Sequence, residues 1–560
     1  MKKDNSKENI NLEKIISAWK EIAKSNNITW KESFIKWEIP EGLVADFAVT
    51  LALPISYIKK KKPYDAALEI TRNFPFGSIL KFEVTKLGYI NCSFKQSFYR
   101  NCLNEIIIGD FFKFEKNNLN VNVEFVSVNP TGYLHLGHLR NAIIGDTISN
   151  IYSFLGFNVV REYYINDRGN QIEELIRSVL FYYFKFQNLE FNSTTEDKLS
   201  YSGKATKDAA LFFLQNNCFS LDEIDSNSLF VKEQIIDFFI QKIKLDLISC
   251  GVRFDNWFSE KKLYENDQVL NNLLKEFKSK EIVYEKDNAL FLKTESAGDD
   301  KDRVIVKDNG DYTYFLSDII YHLNKLNRSD ILINVWGSDH HGYIERLLGS
   351  LELLGYNARE RISIILIQMV SLLTEDGSKK FSKRLGTVID VNEALKIIEK
   401  DQLRFSFLEK ESSHSLTINL NSLSEQKEKS RLYYVQYAHA RCNQILTKWK
   451  DISITNDDFI INEMFLLNEK KEKDILNNLI IFRQVVIDAA NEKKPFSIIH
   501  YLQKLSSDFQ SYYQSCQILQ SENYELSKQR VILVKAVKEV LNKGLQLCGI
   551  SAPDFMDNSC

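Results

Sequence analysis

At 560 residues the chain is too long for one hydrophobic core, and about two to four domains are expected. Hydrophobic residues at 44% and charged residues at 26% are those of a globular protein that folds in water, not of a disordered or membrane-embedded one. A net charge of −3 excludes nucleic-acid binding driven by overall charge, so any such surface has to be a local patch.

The N-terminal "MKKDNSKENINLEK" has no apolar stretch behind its positive charge and does not read as a secretory signal. Residues 12–24 and 64–72 carry helical patterns, and "SILKFEVTKL" and "GYINCSF" read as strands. Together they make a first block, residues 1–112, in which the run "KKKK" (59–62) reads as a solvated face. "VNVEFVSV" (121–128) is β-branched and alternating, a strand. Asn129-Pro130-Thr131-Gly132 is turn chemistry, and Leu139, Ile143, Ile144, Ile148, Ile151 and Leu155 then recur at helical spacing. "NVVREYYIND" (158–167) supplies the next strand of an alternating α/β layer.

Residues 175–280 are helical and aromatic-rich, broken by the polar stretch 192–208, and read as an insertion. The Asn-Gly in "RVIVKDNGDYTYFLSD" (303–318) predicts a β-hairpin. "DILINVWGSDHHGY" (330–343) is a strand running into a polar loop. "ISIILIQMV" (362–370) is a buried parallel-type strand, too short and too polar at Gln368 to cross a membrane. Residues 430–550 are long helical patterns. The predicted architecture is α/β: a Rossmann-type parallel-sheet domain at 113–400, an N-terminal α+β addition at 1–112 and an all-α bundle at 401–560. Of eight cysteines, no two are closer than ten residues, which argues against a zinc site and a disulfide framework. A reduced, cytoplasmic protein with no structural zinc and no other protein-held metal is expected.

Two histidines, His135 and His138, stand at the strand-to-helix junction, where α/β folds place their ligand crevice. With eight histidines and 21 glycines, chance supplies only about 0.004 occurrences of H-x-G-H in this chain. A helix N-terminus attracts phosphate, imidazoles donate to phosphate oxygens, and Gly137 lets a flat base approach the backbone. A zinc pair or two ordinary surface histidines are the alternatives, but no further Cys or His lies near in sequence. About 240 residues later, "KKFSKRLGT" (379–387) sets Lys380 and Lys383 around Ser382, followed by a glycine. A loop of this kind, beyond the last buried strand, can carry two cations onto a polyphosphate; a solvated charge run is its alternative.

The pair "HLGH" and "KFSKR" resembles the HIGH and KMSKS signatures of class I aminoacyl-tRNA synthetases. Within that class the chain resembles the arginyl-tRNA synthetases. The likeness is carried by "VEFVSVNPTG" (123–132), "REYYINDRGNQI" (161–172), "DDKDRVIVKDNGDYTYFLSDIIYH" (299–322), "WGSDHHGYIERL" (336–347), "YYVQYAHAR" (433–441) and "GISAPDFM" (549–556). The resemblance implies activation of L-arginine by ATP with Mg²⁺ to arginyl-adenylate, then transfer to the terminal adenosine of tRNA(Arg). It also implies that bound tRNA is needed for activation.

By the same resemblance, His135, Gly137 and His138 meet ATP, and Lys380, Ser382 and Lys383 attend the departing pyrophosphate. His135, His138, Lys380 and Lys383 are the expected catalytic groups. Gly337, Asp339 and His340 contact the adenosine, and Met369 offers backbone groups to adenine. Tyr314 and Asp318, four apart on a helix, line the arginine pocket; Glu124 and Asn129 grip the amino acid's charged ends, and Glu285 is a second carboxylate for the guanidinium. The C-terminal helices imply an anticodon-binding bundle in which Tyr433, Tyr434, Tyr437 and His439 stack on bases, while the first block leans on the tRNA elbow. A monomer with no DNA or membrane partner is expected. Cysteine or leucine as substrate, a silent RNA-binding paralogue, and a small-molecule nucleotidylyltransferase are weaker readings. The chain departs from the family pattern at Phe381, in place of methionine, and at Tyr133, in place of proline, which implies a less rigid turn before His135.

Overall fold

The structure is a computed structural model. It describes residues 10–37, 45–191, 195–216, 219, 223–224, 228–265, 267–374, 377–380, 389–419, 430–452, 459–462 and 464–556, with backbone alone at 267, 269, 372–374 and 377–380.

Strands β1 (Ile35–Lys36), β2 (Phe47–Val49), β3 (Leu80–Val84) and β4 (Ile90–Phe94) form an antiparallel sheet in the order β1-β2-β4-β3. Helices α1 (Leu12–Ser25), α2 (Ala52–Lys59), α3 (Pro63–Arg72) and α4 (Gln96–Ile108) accompany it. The register of α1 is set by Leu12, Ile15, Ile16, Trp19 and Ala23, all buried on one side, and its start by Asn11, whose side chain accepts from Lys14 N–H at 3.1 Å.

The second sheet is wholly parallel. Strands β5 (Asn120–Glu124), β6 (Asn158–Ile165), β7 (Asn256–Ser259), β11 (Ile331–Gly337) and β12 (Ile362–Ile367) lie in the order β12-β11-β5-β6-β7. From β5 the chain builds outward to β6 and β7 on one side, and later to β11 and β12 on the other. The strand order therefore reverses at β5, and a crevice opens beyond its C-terminal end. Helix α5 (Leu136–Phe154) makes the β5-to-β6 crossover and is buried along almost its whole length. Gly145 permits this closeness, because a Cβ there would lie 2.2 Å from the Phe125 ring.

Between β6 and β7 the insertion contributes α6 (Asn170–Phe186), α7 (Lys204–Asn216) and α8 (Ser228–Ser249), which close over a core of their own including Leu175, Val179, Tyr183, Phe213 and Phe239. Beyond β7 come α9 (Asp267–Ser279) and a small antiparallel sheet of β8 (Val283–Lys286), β9 (Ala289–Leu292) and β10 (Arg303–Val306). The hairpin expected over 303–318 forms only its turn. Gly310 adopts φ +82° and Val306 bridges Tyr312, but the second arm is helix α10 (Tyr314–Arg328). Thr313 caps that helix by accepting from Leu316 N–H, and Phe315, Ile319, Tyr321 and Leu326 bury its inner face. Helical periodicity and a cap override the β-rich composition.

Helix α11 (Ile344–Leu353) follows β11. Strands β13 (Val370–Thr374), β14 (Gly377–Lys380) and β15 (Leu416–Ile418) form a further small sheet, with α12 (Val391–Ile397) and α13 (Lys400–Leu408) between β14 and β15. The chain ends in α14 (Arg431–Ile452), α15 (Lys470–Glu492), α16 (Phe496–Ser515) and α17 (Tyr524–Leu547). One continuous apolar core joins the N-terminal sheet, α5 and these last helices. At its centre Arg404, fully buried, binds Asp146 of α5 at 2.6 Å and the carbonyls of Cys250 and Cys548 at 3.0 and 2.8 Å. No helix among the described residues is long and apolar enough to cross a membrane.

Candidate active site

His135 is the N-cap of α5. Its Nδ1 accepts from the N–H of Gly137 at 3.1 Å and of His138 at 3.4 Å, while His138 Nδ1 accepts from His135 N–H at 3.4 Å. The two imidazoles stack with centroids 3.5 Å apart. This is a capping box built from histidines in place of the usual hydroxyl and carboxamide. With both Nδ1 atoms accepting, each neutral ring carries its proton on Nε2, so the pair presents N–H donors at a helix N-terminus. The Gly137 and His138 amides serve this cap, and the ring N–H groups stand with the helix dipole at the same N-terminus.

The loop before the turn is strained. Val126 and Ser127 adopt φ of +68° and +40°, which L-residues rarely do, least of all a β-branched one. Asn141 of α5 holds it. Its Oδ1 accepts from Val126 N–H at 2.7 Å and its Nδ2 donates to the Val335 carbonyl at 2.8 Å, joining the ends of β5 and β11 where the strand order reverses. Ser127 and Tyr163 complete the hold: the Ser127 hydroxyl donates to Glu124 at 3.0 Å, and the Tyr163 hydroxyl to the Val128 carbonyl at 2.8 Å.

Beside this loop the polar stripe of α10, Tyr314, Asp318, His322 and Lys325, faces the ends of β5 and β11. Buried Lys325 binds Glu124 at 2.5 Å and Asn334 at 2.8 Å. Asn334 donates to His322 Nε2 at 2.8 Å, and the His322 ring donates from Nδ1 to the Asp318 carbonyl at 2.8 Å. Burial, with Lys325 nearby, holds His322 well below the usual imidazole range, so it stays neutral. Asp318 accepts from the Tyr343 hydroxyl. Burial pushes its carboxyl up to about 6; the Tyr343 hydrogen bond opposes the shift and Glu124 adds to it. Gly169, at φ +86°, packs against the Tyr314 hydroxyl so tightly that a Cβ would sit 2.3 Å from it. Asn129 donates to Gln171 at 2.6 Å.

Glu285 does not join this cluster. It lies exposed on β8, with Lys278 3.7 Å away. The carboxylate that does join is Glu260, just past the end of β7 and buried. Burial raises its pKa to about 7, with Asp318 and Asp167 adding to the shift and Arg168 and the Tyr164 hydroxyl opposing it. Asp167 accepts from Ser259 at 2.5 Å, and the Arg168 guanidinium lies 3.9 Å from the centre of the Tyr264 ring. Its signal in the sequence was an acidic residue directly after a parallel strand, the position from which such sheets present ligand-binding groups.

Gly337 ends β11, in register with Ile367, and leads into a turn on which Asp339 and His340 are exposed, with Asp339 Oδ2 and His340 Nε2 3.7 Å apart. Met369 is 52% exposed, and its carbonyl accepts from Leu416 N–H at 3.1 Å. One link was not foreseen. Arg140 of α5, fully buried, donates to the carbonyls of Gln368, His414 and Glu411 at 3.0, 2.8 and 3.0 Å, tying the histidine helix to the segment that leads into the lysine loop. Lys380 is the last residue of β14; Ser382 and Lys383 lie outside the described residues. The described residues contain no group of three or more His, Cys, Asp or Glu placed to hold a metal ion.

On α14, Tyr433 and Tyr437 stack with their planes 11° apart, Tyr434 is exposed, and Arg441 lies 4.5 Å from the ring centres of both Tyr437 and Tyr513. His439 is different: it is 2% exposed and donates from Nδ1 to the Pro553 carbonyl at 2.9 Å. It fixes the C-terminal segment and presents no face on which a base can stack.

Three family models match the chain: "Arginyl tRNA synthetase N terminal domain" at 11–94, "tRNA synthetases class I (R), catalytic domain" at 103–449 and "DALR anticodon binding domain" at 435–556. The arginine–tRNA ligase of Listeria monocytogenes serotype 4b (strain CLIP80459) is 36% identical over 543 residues, covering 93% of this chain and 95% of the relative. That of Aquifex aeolicus (strain VF5) is 35% identical, covering 97% and 99%. The arginyl-tRNA synthetase structure from Thermus thermophilus aligns with a TM-score of 0.75 over 96% of this chain and 99% of that one; at 19% identity this is a likeness of fold.

Proposed function

The chain belongs to the arginyl-tRNA synthetase family, and from that premise we propose how its residues divide the work. It is an arginine–tRNA ligase: with ATP it joins arginine to tRNA. In the first step the arginine carboxylate attacks the α-phosphorus of ATP and pyrophosphate leaves. In the second, the 2′-hydroxyl of the terminal adenosine attacks the activated carbonyl and AMP leaves.

Asp318 and Glu260 take the guanidinium, a planar cation that two carboxylates can hold in a fork. Tyr314 lies along the pocket. Glu124 and Asn129 face the α-amino and α-carboxylate groups, with Lys325 bonded to Glu124. His135 and His138 donate from Nε2 to the ATP phosphates, where charge grows as the α-phosphorus is attacked. Lys380, Ser382 and Lys383 receive the pyrophosphate. Gly137, Gly337, Asp339, His340 and Met369 border the adenosine. The histidine donor set suits a phosphate chain; Mg²⁺ comes as the nucleotide's own counter-ion, held by phosphates and water instead of a protein cage. Residues 1–112 lean on the tRNA elbow, 113–400 carry the chemistry, and 401–560 meet the anticodon with Tyr433, Tyr434 and Tyr437. The enzyme works as a cytoplasmic monomer without DNA, and activation requires bound tRNA.

The observation that carries this reading is the gathering of Glu124, Asp318 and Glu260 at the same edge of the sheet as the histidine pair. Arginine-dependent ATP–pyrophosphate exchange, with and without tRNA, tests it against Lys380→Ala/Lys383→Ala. Exchange that needs arginine and tRNA and vanishes in the double variant is expected. Exchange without tRNA would remove the tRNA requirement, and full exchange in the double variant would remove the lysine assignment.

A further inference from the structure

The turn that delivers His135 is gripped by the insertion. Tyr133 donates its hydroxyl proton to Asp208 Oδ2 of α7 at 2.6 Å. Thr131 lies beside the Tyr201 side chain, just ahead of α7. Asp246 of α8 lies beside the Leu134 backbone and accepts from Asn392 at 2.7 Å. Residue 133 is thus hydrogen-bonded to the insertion and residues 131 and 134 lie against it, immediately before the N-cap histidine. From the other side Val391 N–H donates to the Leu134 carbonyl at 3.1 Å, and His135 bridges Asp390.

Two features make this more than incidental packing. The insertion closes its own core of aromatic and aliphatic side chains, so it offers the turn a stiff partner. And residue 133 is a tyrosine, whose φ is not locked by a ring as a proline's is; a turn that is not stiff in itself needs an outside hold.

We propose that the insertion acts as a clamp on the signature turn and that Tyr133 is a positioning residue of the reaction: through Asp208 it fixes where His135 and His138 present their Nε2–H groups to the ATP phosphates. The proposal rests on the reading of the histidines given above. Tyr133 touches no reacting atom. It acts by holding a donor pair to the sub-ångström tolerance that electrostatic catalysis demands. The guanidinium pocket is built from α10 and the ends of β5 and β7, so its occupancy does not depend on this contact.

The test is pyrophosphate exchange with ATP, arginine and tRNA in the full-length enzyme, comparing Tyr133→Phe, Asp208→Ala, their double variant and His135→Ala. Each single variant is expected to lower kcat/KM for ATP about tenfold while leaving the KM for arginine within about twofold, with the double variant no worse than either single one. An unchanged kcat/KM for ATP, equal losses toward ATP and arginine, or additive losses in the double variant would each overturn the clamp. Asp208→Ala carries the test alone if Tyr133→Phe fails to fold. His135→Ala separates the two ideas. If it too leaves ATP kinetics unchanged, the histidine reading fails; if it cripples them while Tyr133→Phe does nothing, the clamp alone fails.

Discussion

Arginine binding should weaken steeply as pH falls from 8 to 6, well before ordinary carboxylates titrate. Both carboxylates proposed for the guanidinium are raised in the free enzyme, Asp318 to about 6 and Glu260 to about 7, chiefly by burial and further by the negative charges beside them. The ligand's guanidinium stays charged throughout, so only the pocket changes state. At pH 8 Asp318 is ionised and Glu260 about nine-tenths so; at pH 6 the fractions are about one half and one tenth. If both must be ionised to form the fork, the competent fraction falls from about 0.9 to about 0.05, and the apparent Kd for arginine rises about twentyfold. The sign follows from linkage: raised carboxyl pKa values cost the free fold stability as pH climbs from the ordinary carboxylate range near about 4 to the raised values, and bound arginine recovers it. Calorimetric titration of arginine at half-unit steps from pH 6 to 8 measures this, together with an arginine-induced thermal shift that grows with pH. A Kd constant within about twofold across that range would refute the assignment of both groups to one cation site.

Glu260→Gln should raise the KM for arginine about a hundredfold through loss of a charged hydrogen bond. Glu285→Gln, on an exposed strand with a loose lysine neighbour, should leave it unchanged in the same exchange assay. Arg140→Gln strips donors from three carbonyls, each costing about 1–3 kcal/mol if left unsatisfied, so both the melting temperature and kcat/KM for ATP should fall. Arg404→Met leaves buried Asp146 with Arg161 at 3.8 Å and Asn150 at 3.5 Å, a loss of about 3–5 kcal/mol by denaturant titration. Adding Asp146→Asn should recover part of that loss.

The histidine pair was legible because its meaning is local. A strand, a turn and a helical pattern in succession fix where an N-cap falls, and His135 occupies it. The same holds for Tyr314 and Asp318, whose spacing alone puts them on one helical face. Glu285 lies away from Asp318 because which carboxylates share a site is a matter of approach in space. Glu260 reaches Asp318 across the sheet's end, while Glu285 belongs to a different sheet altogether. Composition misled at 312–318, where β-formers were captured by a threonine cap and a buried face, and at His439, where an RNA-like aromatic cluster hides a residue bonded to the C-terminal segment. Arg140, Asn141 and Lys325 could not be recognised in advance: a polar residue inside an apolar helix declares itself only when the carbonyls or carboxylates it serves are placed. The strain at Val126 and Ser127 is likewise invisible in the residue types, which favour plain strand.

The central claim, that one edge of the parallel sheet holds separate subsites for guanidinium and phosphate, is tested most directly by the kinetics of Asp318→Asn in tRNA-dependent pyrophosphate exchange. A loss of about a hundredfold or more in kcat/KM for arginine is expected, with the KM for ATP within about twofold of the parent enzyme. A rise in both constants together, or an unchanged response to arginine, would contradict it.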